Sequence, residues 1–99
     1  MNRRTKELTI SKKVKMTVWE RDRHRCILCG SPSAMPSAHY ISRAKGGLGI
    51  EQNIVTLCFN CHRRLDQTTE RKELLLKVKR YLNRFYPGFD DEKRIYHKT

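Results

Sequence analysis

Apolar positions recur at helical spacing in two stretches of the chain and almost nowhere between them. Val14, Val18 and Trp19 share one face of a helix that Ser11 can cap and that runs to about Asp22. Leu74, Leu75, Val78, Tyr81, Leu82 and Phe85 form a longer amphipathic stripe, which Thr69 can cap and Pro87-Gly88 stops near Tyr86. The intervening pattern is shorter. Ala38 to Ile41 reads as one strand and Asn53 to Leu57, β-branched in its middle, as another. Small-residue loops run from Ser31 to Ser37 and from Lys45 to Gly49, and Cys61 to Asp66 should open a helix. Residues 1–10 are basic and without period, so they read as disordered. Residues 11–86 then make one domain, and 87–99 a charged tail.

Composition narrows the class. The chain has 99 residues, with 22 Lys+Arg against 10 Asp+Glu, a net charge of +12, and 37% hydrophobic residues. Such a chain buries a thin core and needs a metal, a disulfide or a partner to supplement it. The longest apolar run is the four residues Cys26–Cys29, against the ~20 of a membrane span. No apolar segment follows the basic start, which points away from export and towards a cytoplasmic protein. The charge makes nucleic acid the expected partner, with a merely solubilising role as the plain alternative.

Cys26 and Cys29, then Cys58 and Cys61, form two C-x2-C pairs separated by 28 residues. Two residues between thiolates lets a tight turn aim both at one tetrahedral ion, so two such knuckles make a four-cysteine structural Zn²⁺ site. Two disulfides are the competing reading, and they require an oxidising compartment. The insert exceeds the ~15–20 residues of a compact zinc ribbon. It therefore holds structure of its own.

Three polar residues stand out there and just after it: His39 in the first strand, Asn53 opening the second, and His62 directly after Cys61. With the Cys-Ile-Leu-Cys-Gly and Asn-Ile-Val-Thr-Leu-Cys-Phe-Asn-Cys-His segments and the Gly46-Gly47 loop, this order resembles the HNH endonuclease family over about residues 18–68. The resemblance implies a small α+β fold with a ββα-metal core, a structural zinc site and flanking helices. It implies His39 as the general base that activates water, and His62 as a ligand of a catalytic divalent ion. Asn53 is implied as the residue that fixes the base-bearing loop by side-chain bonds to backbone. Where the family usually has a further ligand before the base, this chain has Ala38. Asp66, one helical turn after His62, offers a substitute, as in the colicin nucleases, and a carboxylate suits Mg²⁺ or Mn²⁺. In a shifted register His39 becomes the ligand and Tyr40 the base, but a phenol of pKa about 10 is a poor base at neutral pH.

Arg43, Lys45, Arg63 and Arg64 surround this site in sequence and are candidate DNA-phosphate contacts. The leading expectation is a metal-dependent DNA endonuclease of the kind found in bacteria and phages. The alternatives are a non-catalytic zinc-stabilised DNA-binding module, its ligand lost at Ala38, and an accessory subunit of a larger DNA-processing assembly.

Overall fold

A computed structural model describes residues 2–67 and 69–97. Its elements are α1 (Arg3–Leu8), α2 (Lys12–Arg21), β1 (Ala34–His39), a 3-10 turn (Arg43–Lys45), β2 (Ile54–Cys58), α3 (Phe59–Gln67), α4 (Arg71–Phe85) and a second 3-10 turn (Asp91–Arg94). This is a small α+β fold. No described helix is long and apolar enough to cross a membrane.

The sheet is a single antiparallel pair. Ala34 lies opposite Cys58 and Met35 opposite Leu57, whereas Ala38 faces Val55 and His39 faces Ile54. The register slips by one residue between Met35 and Ala38, a bulge in β1 that contains Pro36. Proline has no N–H to give to a ladder, so a bulge is where a strand tolerates it. The small residues of Ser31–Ser37 read as a loop, but the strand starts four residues earlier than Ala38 and ends at His39 rather than Ile41. β2 is buried at all five positions, between the helices that cover it.

Ser11 caps α2 as expected, its hydroxyl accepting from the Val14 N–H at 3.1 Å, and Val18 is fully buried. On α4 the stripe divides: Leu74, Val78 and Leu82 enter the core with Val55, Leu57 and Leu65, while Phe85 stays exposed. Thr69 does not cap that helix. It begins at Arg71, and Glu70, in the cap position, makes no capping bond and pairs instead with Arg64. Arg21 and Asp22, at the end of α2, tie the layers together. Arg21 donates to the carbonyls of Glu51 and Ile54, both at 2.7 Å. Asp22 accepts from the Thr56 N–H at 2.8 Å and the Tyr81 hydroxyl at 2.7 Å.

Both ends of the chain depart from expectation. Residues 3–8, read as disordered, form α1, capped by Asn2, whose side chain accepts from Thr5 N–H at 2.8 Å. A helix this short does not persist alone. Tertiary contacts hold it: Leu8 is buried, and the Glu7 carbonyl accepts from Gly49 N–H at 3.0 Å. The tail folds back as well. Arg94 is wholly buried, donating to the Gln52 carbonyl at 2.7 Å and to Asp91 at 2.9 Å, with its guanidinium over the rings of Tyr40 and Phe89. Ile95 bridges to Gly47.

The glycine loop is thus clamped from both termini. A Cβ on Gly47 would lie 1.6 Å from the Ile41 carbonyl oxygen, and one on Gly49 would lie 2.3 Å from that of Thr9. Backbone atoms cannot yield as a flexible side-chain tip does. Gly47→Ala should cost more than the ~1–3 kcal/mol of ordinary overpacking, hence a fall in Tm of at least about 10 °C in a thermal melt. An unchanged Tm would mean the loop is not held as described.

Candidate active site and metal centre

The four cysteines converge although they come from distant parts of the chain. After α2, Arg23 and His24 adopt left-handed backbone (φ 58° and 60°), turning the chain into the first knuckle. Gly30, at φ 81°, completes that knuckle, its N–H donating to the Cys26 carbonyl at 2.9 Å. Cys58 is the last residue of β2 and Cys61 lies in the first turn of α3. The four Sγ atoms lie within 4.8 Å of one another, Cys29 and Cys58 at 3.6 Å, and none is in a disulfide. Sulfurs at Zn–S ~2.3 Å on a tetrahedron stand about 3.8 Å apart, so the cluster fits zinc. Burial opposes ionisation of Cys26, yet backbone hydrogen bonds from Cys58, Cys29 and Leu28 bring its thiol down to about 7. Burial and the neighbouring sulfurs push Cys61 up. A divalent cation relieves that conflict by drawing the thiols into thiolate form.

His39 stands at the end of β1. Its Nε2 lies 3.0 Å from the carbonyl oxygen of Leu8. A carbonyl only accepts, so Nε2 carries the proton and Nδ1 is the acceptor nitrogen. Burial lowers the pKa of this imidazole below the usual histidine value; the Leu8 bond opposes the shift, and electrostatic interaction with Arg43 and His62 adds to it. His39 is therefore neutral at pH 7. The Leu8 contact was not legible in the sequence, where Leu8 is merely one apolar residue in a basic stretch and its carbonyl has no signature.

Asn53 is fully buried and uses its whole amide. Its Nδ2 donates to the carbonyls of Ile41 at 3.1 Å and Leu48 at 2.9 Å, and its Oδ1 accepts from the Ile41 N–H at 2.9 Å. It thereby joins the residues that follow β1 to the glycine loop. His62 and Asp66 share one face of α3, with His62 Nε2 3.7 Å from Asp66 Oδ2. Asp66 also stands 4.0 Å from Arg71. Ala38 is buried and offers no ligand. Tyr40 is committed elsewhere: its hydroxyl donates to Asp91 at 3.1 Å, and burial beside that carboxylate pushes its pKa up to about 12. That speaks against the shifted register.

Of the basic candidates, Arg43, Lys45 and Arg63 are exposed. Arg43 and Lys45 occupy the turn before Gly46, and Arg63 follows His62 on α3. Arg64 is paired with Glu70.

A two-stranded hairpin running into a helix, with one histidine ending a strand and another opening the helix beside a four-sulfur cluster that fits zinc, is the architecture of a small ββα domain. Residues 26–68 match the family model described as HNH endonuclease, a span that holds both knuckles, His39, Asn53, His62 and Asp66. Comparison with curated proteins finds no match.

Proposed function

We propose that the protein is a metal-dependent endonuclease that hydrolyses DNA phosphodiester bonds, with His39 as general base. The observation that carries this reading is the Leu8 contact, which holds Nε2 as the donor and leaves Nδ1 of a neutral imidazole as the proton acceptor. Proton removal from an attacking water is what that nitrogen can do near neutral pH. His62 and Asp66 would hold the catalytic ion, their donor atoms close enough to share it. One carboxylate, one imidazole and no third protein ligand at Ala38 suit Mg²⁺ or Mn²⁺, which keep much of their water. When bound, such an ion supplies Lewis-acid polarisation of the scissile phosphate and stabilises the leaving 3′-oxygen. Asn53 would keep the backbone that follows the base-bearing strand in place. Arg43, Lys45 and Arg63 supply charge for backbone contacts, in a chain of net charge +12.

The test is nicking of supercoiled plasmid. Scission is expected with added Mg²⁺ or Mn²⁺ and not without either. Ala38 favours one second reading, a zinc-stapled DNA-binding module without activity. DNA retention that falls steeply with salt, with no scission under either ion, would establish that reading instead.

Asp66→Ala separates metal binding from stability. Both ion pairs of Asp66 are exposed, so the fold should change by no more than ~1 kcal/mol. The Mg²⁺ or Mn²⁺ concentration for half-maximal nicking should rise by at least about tenfold. Titration curves that overlay the parent would make Asp66 a surface charge only.

A further inference from the structure

The face of the molecule beside His62 carries an apolar groove that hydrolysis of a phosphate does not require. A cleft of about 540 Å³ is lined by Trp19, Met35, Ala38, Leu57, Phe59 and His62, within the size range of ligand clefts. A second cleft, of about 230 Å³, joins it at Trp19 and Ala34 and is rimmed by Lys12, Lys15 and Met16. Among the described residues, three of the five large hydrophobic ones that stand exposed line these clefts: Met16, Met35 and Phe59, the last 81% exposed. Trp19 stacks flat on His24, with centroids 4.9 Å apart and planes 5° from parallel.

We propose that this groove holds unpaired bases of a DNA strand, with Trp19 and Phe59 as stacking surfaces and Lys12 and Lys15 on the phosphates, so that the preferred substrate carries single-stranded bases beside the cleavage point. Charge selects the occupant. The side chains lining both clefts include lysines and a histidine but no carboxylate. A second copy would bring another net charge of +12 against this face, whereas a nucleic-acid strand brings regularly spaced negative charge with flat apolar bases. Stacking on aromatic rings tolerates any base, since every base has a π-face. Bases inside an intact duplex already stack on each other and cannot reach Phe59. The proposal rests on the reading of the protein as one that acts on DNA.

The experiment uses the zinc-loaded full chain without added Mg²⁺ or Mn²⁺, and Trp19, the sole tryptophan, as the reporter. A short oligothymidylate should bind and quench Trp19 emission. An abasic oligonucleotide of the same length and charge should bind at least tenfold more weakly and leave the emission unchanged. Phe59→Ala, which removes a side chain that the core does not use, should weaken oligothymidylate binding about tenfold, the loss of one stack, with zinc content and abasic binding unchanged. Equal affinity for the two oligonucleotides would overturn the proposal, as would unchanged affinity in Phe59→Ala. So would equal quenching by an intact duplex, or quenching that tracks self-association in sedimentation. Failure of plasmid nicking with base-selective binding intact would remove the nuclease reading and leave the groove. Nicking without base selectivity would remove only the groove.

Discussion

Cys58→Ser is expected to release zinc and unfold the domain. Cys58 joins the end of β2 to α3, its Sγ accepting from the Cys61 N–H at 3.4 Å and standing 3.6 Å from that of Cys29. A serine hydroxyl supplies no thiolate, so the tetrahedron loses a ligand where the sheet meets the helix. Structural zinc contributes on the order of 10–16 kcal/mol in small domains, against a total stability of roughly 5–15 kcal/mol. The thin core of a 99-residue chain with 37% hydrophobic residues does not replace it. Metal analysis should find substoichiometric zinc, and the cooperative thermal transition should be lost or shifted far down. A variant with full zinc and the parent's melt would break the four-cysteine assignment.

His39→Ala should lower the nicking rate by roughly 10²- to 10⁴-fold, the usual contribution of a positioned general base. Only one described side-chain hydrogen bond is lost, that to Leu8, so the melt should shift by no more than the few degrees that ~1 kcal/mol brings. Wild-type nicking should also carry a pH signature. Burial, with Arg43 and His62 nearby, lowers the His39 pKa, so the neutral base persists to more acid pH than an ordinary histidine would. The acid limb of the rate profile should lie below ~6.5 and vanish in the variant's residual rate. The same shift has a stability consequence. The unfolded chain takes up this proton first, so the His39 contribution is intact above ~6.5 and is lost as pH falls towards the lowered folded value. A variant that nicks at the parent's rate would remove His39 from the chemistry.

Much of the site was legible because it depends on spacing. The two C-x2-C pairs announce the four-sulfur cluster, a candidate metal centre, since a turn of that length leaves the thiols few other arrangements. The order His39, Asn53, His62 lies within the span that matches the HNH family model, and Ser11 and the α4 stripe mark their helices from local pattern alone. Local chemistry misled in two places. The small residues around Pro36 read as loop and hid the first half of β1, because the bulge that accommodates the proline is a property of the pair of strands. Thr69 looked like a cap, but the helix starts after Glu70.

The termini were the largest gap, and the reason is physical. Neither α1 nor the turn at Asp91–Arg94 carries enough apolar surface to fold alone. Each is stabilised by groups far away in sequence: Leu8, which is buried, by His39, and Arg94 by Gln52 and the Tyr40 ring. Residue types and their spacing nominated the side chains that could bind metal or carry a proton. Only the tertiary structure decided which nitrogen of His39 is free, because that depends on a backbone carbonyl, and every residue has one.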